Sequence, residues 1–567
     1  MNKKPTSPSL ILALALMACS TPKTNDTAVA VEAEPEQTFV WNNATVYFLL
    51  TDRFNNGDPA NDQMFDRKAD GAVLRSFEGG DIKGVTQKIN EGYFESMGIT
   101  AIWLTPIWEQ VRGYTDEGTG KTYAYHGYWA RDWTAVDPNY GTFEELKEMV
   151  DAAHTKGIRI LMDVVVNHTG PVTEIDSQWP DSWVRTEPTC SFQDASTTIN
   201  CTLVDNLPDI YTGSDEPVEL PEFLVNKWKE EGRYEQEIAE LDAFFDTTGH
   251  PRAPRFYIMK WIIDYVKELG IDGFRVDTAK HTEAEIWGEL KELALAAFED
   301  WKKENPDKKL DNTPFYMTGE VYNYSLYTGK QFDMGNGELV NFYDNGFESL
   351  INFAFKGDAN KPAEELFSFY SDVLNNGDLK GYSILNYASS HDDGGPFDKE
   401  RQRVFEAGTK LLLTPGASQI YYGDETARPL AVEGANGDAN LRTFMNWNEL
   451  SENVERNGYT IIDVQQHWAK LGRFRKAHVA VGAGVHEKIS DTPYTFKRWY
   501  SGQGYEDKVV VAMDYEGTEL TVSVADVFQD GTQLKEYYTG QNLTVENGAV
   551  SISNAGPVVL LGESQSI

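Results

Sequence analysis

The chain has 567 residues and a formal net charge of −39 at pH 7. Phosphate backbones and anionic membrane surfaces repel so acidic a protein, which argues against nucleic acid as a partner. Length alone predicts three or four domains, or fewer if one of them is a large barrel. A hydrophobic fraction of 41%, with 14 Trp, 28 Tyr and 28 Phe, is ample for a large core.

The N-terminus has the pattern of a secretory signal peptide over residues 1–18. Met1-Asn-Lys-Lys supplies positive charge, and the apolar run from Leu10 to Ala18 is too short to span a bilayer. The box Leu16-Met-Ala-Cys19 resembles a bacterial lipoprotein cleavage site, although Met17 is uncommon there and an ordinary signal peptide stays open. Residues 19–38 are therefore predicted to be a lipidated N-terminus, acylated at Cys19, and a linker. We expect an exported protein, anchored to a bacterial membrane and facing the periplasm or the cell surface.

The two remaining cysteines, Cys190 and Cys201, are predicted to form a disulfide. An even pair a few residues apart in an exported protein most often closes a small loop. A metal site would need more ligands nearby, and a catalytic thiol would need a positioned histidine.

From residue 44 onward, short apolar strands alternate with helical patterns, which is the signal of parallel βα units. One such helix is predicted over residues 255–270, where apolar side chains recur at helical spacing. Eight strands with intervening helices predict an α/β fold, a (β/α)₈ TIM barrel over residues 39–476. The predicted strands are 46–50, 99–104, 158–166, 271–276, 315–318, 350–353, 383–387 and 418–422.

Two further regions do not fit the barrel pattern. The segment of about 169–253, after the third strand, is too long for a connecting loop and is predicted to be an inserted domain. Beyond residue 476 the pattern changes to period-two strands such as 508–513, 520–524 and 558–561. Residues 477–567 are therefore predicted to form a C-terminal antiparallel β domain.

Polar residues follow the apolar runs of four predicted strands. Arg275 and Asp277 lie two apart in Gly273-Phe-Arg-Val-Asp277, so both side chains point to one face, where the guanidinium would keep the carboxylate ionised. Taken alone, this is more often a structural ion pair. Three similar segments accompany it: Asp163-Val-Val-Val-Asn-His168, Gly319-Glu320 and Ser390-His391-Asp392.

In this order the four segments resemble the four conserved regions of glycoside hydrolase family 13, the α-amylase family. The resemblance spans residues of about 44–480 and implies retaining hydrolysis of α-1,4-glucosidic bonds in starch and maltodextrins by double displacement. It implies Asp277 as the nucleophile, Glu320 as the general acid/base and Asp392 as a third carboxylate that binds ring hydroxyls. The residues around Glu320 agree, since Glu320 follows an apolar run and no cation adjoins it in sequence, so burial would raise its pKa.

The same resemblance implies the substrate-binding side chains. Asp393 is excluded as the third carboxylate because the motif is His-Asp. Ser390 stands where the family usually has Asn, and Tyr322 where many members have Trp or Phe, which leaves substrate length and product pattern open. The implied substrate-binding residues are His126, Tyr128, Trp129, His168, Arg275, Lys280, His281 and His391.

Two Ca²⁺ sites are implied as well, since calcium takes clustered oxygen ligands. The first comprises Asn167, Asp209 and the carbonyl of His281, and would join the barrel to the inserted segment, the family's domain B. The second resembles an N-terminal site of cyclodextrin glucanotransferases, although a polar loop without metal is an equal alternative for it. Its members are Asn56, Asp58, Asn61, Asp62, Gly79 and Asp81.

Two other functions stay open. A transglycosylase of the cyclodextrin-forming type is suggested by the segment 124–132, but those enzymes usually carry further domains. A non-catalytic glucan-binding relative would typically lack a catalytic carboxylate, and all three are present here. We expect an α-glucan substrate, a lipid anchor, no nucleic acid and a monomeric protein.

Overall fold

The computed structural model describes residues 39–116 and 118–564. The predicted signal peptide and Cys19 lie outside the described residues. No helix in the described part of the chain is both long and apolar enough to cross a membrane.

A closed barrel of eight parallel strands forms the centre of the molecule, as the sequence predicted. Each strand pairs in parallel with its two neighbours, and the order of the strands around the barrel is their order along the chain. The predicted bounds are correct to within about two residues at each end. The strands are β1 (Thr45–Leu49), β2 (Ala101–Leu104), β3 (Arg159–Val164), β4 (Gly273–Val276), β5 (Tyr316–Gly319), β6 (Ser349–Asn352), β7 (Ser383–Tyr387) and β8 (Ala417–Tyr421).

Helices cover the outside of the barrel, with one departure from the predicted alternation. Between β5 and β6 the described residues form no α-helix. They form 3₁₀ turns at Leu326–Thr328 and Phe342–Asn345 and a short antiparallel pair of strands, Phe332–Asp333 and Leu339–Val340. The other connections contain the helices Ile82–Asn90, Phe143–Thr155, Pro254–Leu269, Glu285–Glu304, Ala363–Asn375 and Val404–Leu413, and Ile461–Ala477 follows β8.

The helix before β4 has clear start and stop signals. Pro254 occupies its first turn, where the missing N–H costs no hydrogen bond. Gly270 ends it at φ +74°, and a Cβ there would meet the indole ring of Trp301 at 2.3 Å. This turn sets the chain into β4, and so fixes where Asp277 emerges.

The inserted domain lies between β3 and this helix. It contains an antiparallel pair of short strands, Val184–Arg185 and Asp209–Ile210. Cys190 and Cys201 are disulfide-bonded, with Cα atoms 5.7 Å apart, so that prediction is confirmed. The helices of this domain are Ala195–Ile199, Glu222–Glu230 and Tyr234–Thr248.

The C-terminal β domain is antiparallel, as predicted, and has its own apolar core between two sheets. Glu519–Ser523 pairs with Ala549–Ser553 in the smaller sheet. The larger sheet has six strands, in the order Val485–Asp491, Tyr494–Gly502, Tyr505–Met513, Val559–Glu563, Gln533–Glu536 and Gln541–Thr544.

Candidate active site

A cavity of about 420 Å³ opens at the C-terminal end of the barrel strands. This is the end at which barrel enzymes carry their chemistry. The cavity is lined by the three predicted catalytic carboxylates and by every predicted substrate-binding side chain except Arg275. These are Asp277, Glu320, Asp392, His126, Tyr128, Trp129, His168, Lys280, His281 and His391.

The strand register brings the charged groups together. Arg275 of β4 lies directly beside Asp163 of β3 and Thr318 of β5. Asp277 follows β4 and Glu320 follows β5, and the Glu320 amide donates to the Val276 carbonyl at 2.9 Å. Parallel pairing therefore places both carboxylates at the same end of adjacent strands.

One buried guanidinium contacts three carboxylates. Arg275 Nη1 lies 2.6 Å from Asp277 Oδ1 and 2.9 Å from Asp163 Oδ1. Arg275 Nη2 lies 2.9 Å from Glu320 Oε2, which also accepts from the Thr278 amide at 3.0 Å. Sequence reasoning found no cation beside Glu320, because this contact crosses between strands. The fold thus supplies Glu320 with a cation that its neighbours in the sequence do not.

Burial dominates the protonation of this cluster. Desolvation raises the pKa of Asp277 to about 6, against the opposing effect of Arg275. It raises the pKa of Glu320 well above its usual value, and the charges of Asp277 and Asp392 raise it further, again against Arg275. Arg275 opposes this effect but does not outweigh burial, so the pKa of Asp277 lies above its ordinary value. The sequence had suggested only that the guanidinium keeps this carboxylate ionised. Glu320 is the carboxyl with the greater tendency to hold a proton at neutral pH.

Aromatic and imidazole rings form the side of the cavity next to these carboxylates. Tyr128 donates its hydroxyl hydrogen to Asp163 Oδ2 at 2.8 Å, and its ring stacks on His391 with centroids 5.3 Å apart. Burial lowers the pKa of His168 to about 4 and the pKa values of His126 and His391 well below the ordinary value. These imidazoles are neutral at pH 7, so each has one donor and one acceptor nitrogen for hydroxyl groups.

The two adjacent aspartates after β7 have different surroundings. Asp392 lines the cavity, where Ser390 Oγ lies 3.4 Å from its Oδ1. Asp393 forms an ion pair with Lys356 and accepts from the Tyr387 hydroxyl at 2.6 Å. Asp393, which the motif excluded as the third carboxylate, is thus held by two residues that do not line the cavity.

Sequence reasoning missed three charged residues of the cavity wall. Asp438 bridges Arg75 and Arg442 at 2.6 Å each, and all three line the cavity. Arg442 Nε donates to the His391 carbonyl at 3.0 Å, which holds that histidine's backbone. Arg75 lies in a loop and Asp438 and Arg442 in the 3₁₀ helix Gly437–Arg442, so no strand or motif in the sequence indicated them. Asp163 was also given no role, although it opens a quoted motif.

The disulfide loop reaches the cavity near His281. Thr198, inside the loop, offers its carbonyl to His281 Nδ1 at 3.1 Å. Phe192, also inside the loop, meets the His281 ring edge-on with centroids 4.9 Å apart and lines the cavity. Lys280 lies next to it and donates to the Tyr322 carbonyl at 3.2 Å.

Three oxygens converge where the first calcium site was predicted. The side-chain oxygen of Asn167 faces the His281 carbonyl oxygen at 2.8 Å and Asp209 Oδ1 at 3.1 Å. Its amide nitrogen has His168 Nδ1 as an acceptor at 3.3 Å. Such oxygens repel one another unless the amide is rotated or a cation lies among them. The donor set fits a hard cation.

The second predicted calcium cluster has different chemistry. Asp81 accepts backbone N–H bonds from Gly84 at 2.5 Å and Asp58 at 2.7 Å, as the N-cap of Ile82–Asn90. Asp58 pairs with Lys83 at 2.9 Å, and Asp62 Oδ1 accepts from Asn56 at 2.8 Å. The backbone carbonyl of Asn61 accepts a hydrogen bond from the Asn139 side chain at 2.9 Å. Gly79 has φ +96° and no room for a Cβ between Asn56 and Asp62.

The carboxylates of this second cluster already have protein partners. Among residues 39–116 and 118–564, no three His, Cys, Asp or Glu side chains converge as a metal-binding group. Calcium at this cluster stays a prediction.

Comparison with known proteins agrees with the geometry. The family model described as "Alpha amylase, catalytic domain" matches residues 48–489. The chain is 35% identical over 546 residues to the periplasmic α-amylase of Escherichia coli, covering 85% of this chain and 73% of that protein. It is 27% identical to the cyclomaltodextrin glucanotransferase of Geobacillus stearothermophilus, covering 97% and 71%.

Solved structures share the fold. An α-amylase from Geobacillus thermoleovorans, complexed with acarbose, superposes with a TM-score of 0.61 at 21% identity, covering 93% of this chain and 100% of that one. CldA, a cyclomaltodextrin glucanotransferase with a three-domain ABC distribution, superposes at 0.63 with 22% identity, covering 92% and 99%.

The barrel, its carboxylates and these matches define a glycoside hydrolase. The chain belongs to the α-amylase family.

Proposed function

We propose that the chain is an α-amylase that hydrolyses α-1,4-glucosidic bonds of starch and maltodextrins with retention of configuration. The observation that carries this is the single guanidinium of Arg275, which holds Asp277 and Glu320 at one end of the cavity. Retaining glycosidases need two carboxyl groups of unequal acidity on either side of the scissile bond.

In the first step, Glu320 gives its proton to the glycosidic oxygen while an oxygen of Asp277 attacks the anomeric carbon. The leaving chain departs as an alcohol, and a covalent glycosyl ester forms on Asp277. In the second step, Glu320 takes a proton from water, and that water attacks the anomeric carbon from the face that the leaving chain vacated. Asp277 is released as a carboxylate, and the product has the α configuration.

Around these steps, the neutral histidines and Asp392 bind and orient the sugar hydroxyls. Tyr128 offers an aromatic ring to the sugar that is cleaved, held in place by its bond to Asp163. The proposed binding set also includes Trp129, Lys280 and His281, all of which line the cavity.

A transglycosylase is the second candidate, because a sugar hydroxyl could replace water in the second step. Domain number does not argue against it, since CldA has three domains and aligns over 92% of this chain. A non-catalytic role has less support, because all three carboxylates line one cavity.

Replacing either reacting carboxyl should remove most activity. We expect Asp277→Asn and Glu320→Gln each to lower kcat on starch by at least about 10²–10⁴-fold, with the melting temperature nearly unchanged. An aryl glucoside with an activated leaving group should partly restore turnover by Glu320→Gln, because that leaving group needs less protonation, but not by Asp277→Asn. Asp393→Asn is the matched control and should keep most activity. Wild-type turnover by either catalytic variant would refute the roles.

The products separate hydrolysis from transfer. With a maltodextrin of defined length, we expect linear malto-oligosaccharides whose first-formed reducing ends are α, seen by proton NMR during early turnover. A β-anomer formed first would contradict double displacement. Cyclic products in chromatography would favour the transglycosylase instead.

The pH profile should report the protonation of the cluster. Asp277 must be ionised and Glu320 protonated, so kcat/KM should fall as pH drops through about 6 and fall again when Glu320 loses its proton. The charge of Asp163 raises the pKa of Asp277, so Asp163→Asn should move the acid limb to lower pH. An acid limb that stays in place or moves upward in that variant would count against this electrostatic account.

We propose that calcium binds Asn167, Asp209 and the His281 carbonyl. These oxygens come from β3's end, domain B and the segment after Asp277, so one cation would join all three. Its contribution is structural, because a cation that binds only the folded chain stabilises it by mass action.

Chelation should therefore lower the melting temperature and activity together, and added calcium should restore both. Asp209→Ala should bind less calcium and behave like the chelated protein. Elemental analysis gives the stoichiometry: one calcium per chain if the second cluster binds none, and two, with one lost in Asp62→Asn, if it does. Unchanged stability and activity after exhaustive chelation, with no calcium retained, would overturn the first site.

We also propose that the protein is exported, since the similar Escherichia coli enzyme is periplasmic. Acylation at Cys19 and a monomeric state belong to this proposal. Mass spectrometry of the membrane fraction and size-exclusion chromatography test them.

A further inference from the structure

An arginine, Arg185, lies beside Asp209 at the proposed calcium site. Arg185 lies directly opposite Asp209 in the short antiparallel strand pair of domain B. Its Nε is 2.8 Å from Asp209 Oδ2, and the two side chains are only 14% and 2% exposed. No N–H of Arg185 points straight at that oxygen, so the contact is an ion pair rather than an aligned hydrogen bond.

Other contacts fix the guanidinium in this place. Arg185 Nη1 donates to the Asn200 side-chain oxygen at 3.2 Å. Its guanidinium carbon also lies 5.0 Å from the centre of the Tyr211 ring. Arg185 is therefore held in the domain by three partners and is not a surface side chain that could swing away freely.

The Asp209 carboxylate is divided between two neighbours. Its Oδ1 faces the Asn167 side-chain oxygen, while its Oδ2 faces Arg185. The other two proposed ligands, an amide oxygen and a peptide carbonyl, are neutral. The Oε2 atom of Glu283, another acid of this region, accepts from the Thr212 hydroxyl at 2.7 Å. The site thus offers calcium one carboxylate ligand, and a fixed positive charge already neutralises it.

We infer that Arg185 is a resident counter-ion of this site, which keeps Asp209 paired when calcium is absent and weakens calcium binding when it is present. This rests on the proposed calcium site. A buried carboxylate without a partner is costly, so Arg185 stabilises the calcium-free protein. Arg185 repels a divalent cation that binds beside it. Calcium affinity also becomes weaker as the net negative charge of the ligand set decreases.

Both effects make the stability of the protein less dependent on calcium. Without metal, a rotated Asn167 amide can donate to Asp209 Oδ1 and so keep domain B joined to the barrel. Calcium then adds less stability than it would to a site without the arginine. The enzyme should therefore tolerate low calcium better than a form that lacks this cation.

Three variants test the inference on the full-length mature chain. Arg185→Gln removes the charge, Arg185→Lys keeps it, and Arg252→Gln removes a comparable arginine that pairs with Asp242 on the exposed surface of the same domain. Calcium affinity is measured by isothermal titration calorimetry, and melting temperature with excess chelator and with saturating calcium.

We expect Arg185→Gln to bind calcium at least about tenfold more tightly than the natural chain. Its melting temperature in chelator should be lower, and the gap between chelated and calcium-loaded protein wider. Arg185→Lys and Arg252→Gln should keep the natural affinity. If Arg185→Gln folds only when calcium is present, that requirement supports the inference too.

Equal calcium affinities for the natural chain and Arg185→Gln would overturn the role of Arg185 while leaving the calcium site intact. If neither protein binds calcium, the proposed site is wrong and the inference fails with it. Failure of Arg185→Gln to fold even in saturating calcium would also contradict it, since calcium should then replace the missing charge.

Discussion

The active site depends on one buried cation. Arg275 is 1% exposed and lies within 2.9 Å of carboxylate oxygens of Asp163, Asp277 and Glu320. Three carboxyl groups so close together could not be buried without it, because each would be desolvated and repelled by the others. The unequal surroundings of Asp277 and Glu320 support the proposed division of roles, because burial and neighbouring charges raise the pKa of Glu320 well above its usual value and that of Asp277 to about 6. The arrangement of these carboxyl groups follows from the register of β3, β4 and β5.

The inserted domain completes the cavity from the other side. Its disulfide loop contacts His281 through Phe192 and the Thr198 carbonyl, and its strand pair carries Asp209 to Asn167. His281 is only four residues beyond Asp277. The position of domain B is therefore coupled to the strand that carries the proposed nucleophile. The disulfide loop, Arg185 and the proposed calcium site all lie at this one junction.

Much of the fold could be predicted from the sequence, because each barrel strand is a short apolar run with a polar motif at its C-terminal end. The closed barrel, the antiparallel C-terminal domain and the Cys190–Cys201 disulfide followed from such local signals. What could not be predicted depends on contacts between distant segments. The Arg275–Glu320 ion pair joins two neighbouring strands, and Asp438 and Arg442 lie in a short 3₁₀ helix far from them in sequence. Burial, which raises the pKa of Asp277, is likewise invisible in the local sequence. The absence of a described α-helix between β5 and β6 was likewise not indicated by the local sequence.

The central claim is that Asp277 attacks the anomeric carbon from its place beside Arg275. The most direct measurement is to trap the covalent intermediate with a 5-fluoro α-glucosyl fluoride, whose second step is slow, and to map it by mass spectrometry of peptic peptides. The account predicts one 5-fluoroglucosyl unit, attached to Asp277 after the anomeric fluoride has left. A label on Glu320 or Asp392, or full turnover with no label at any time, would contradict it.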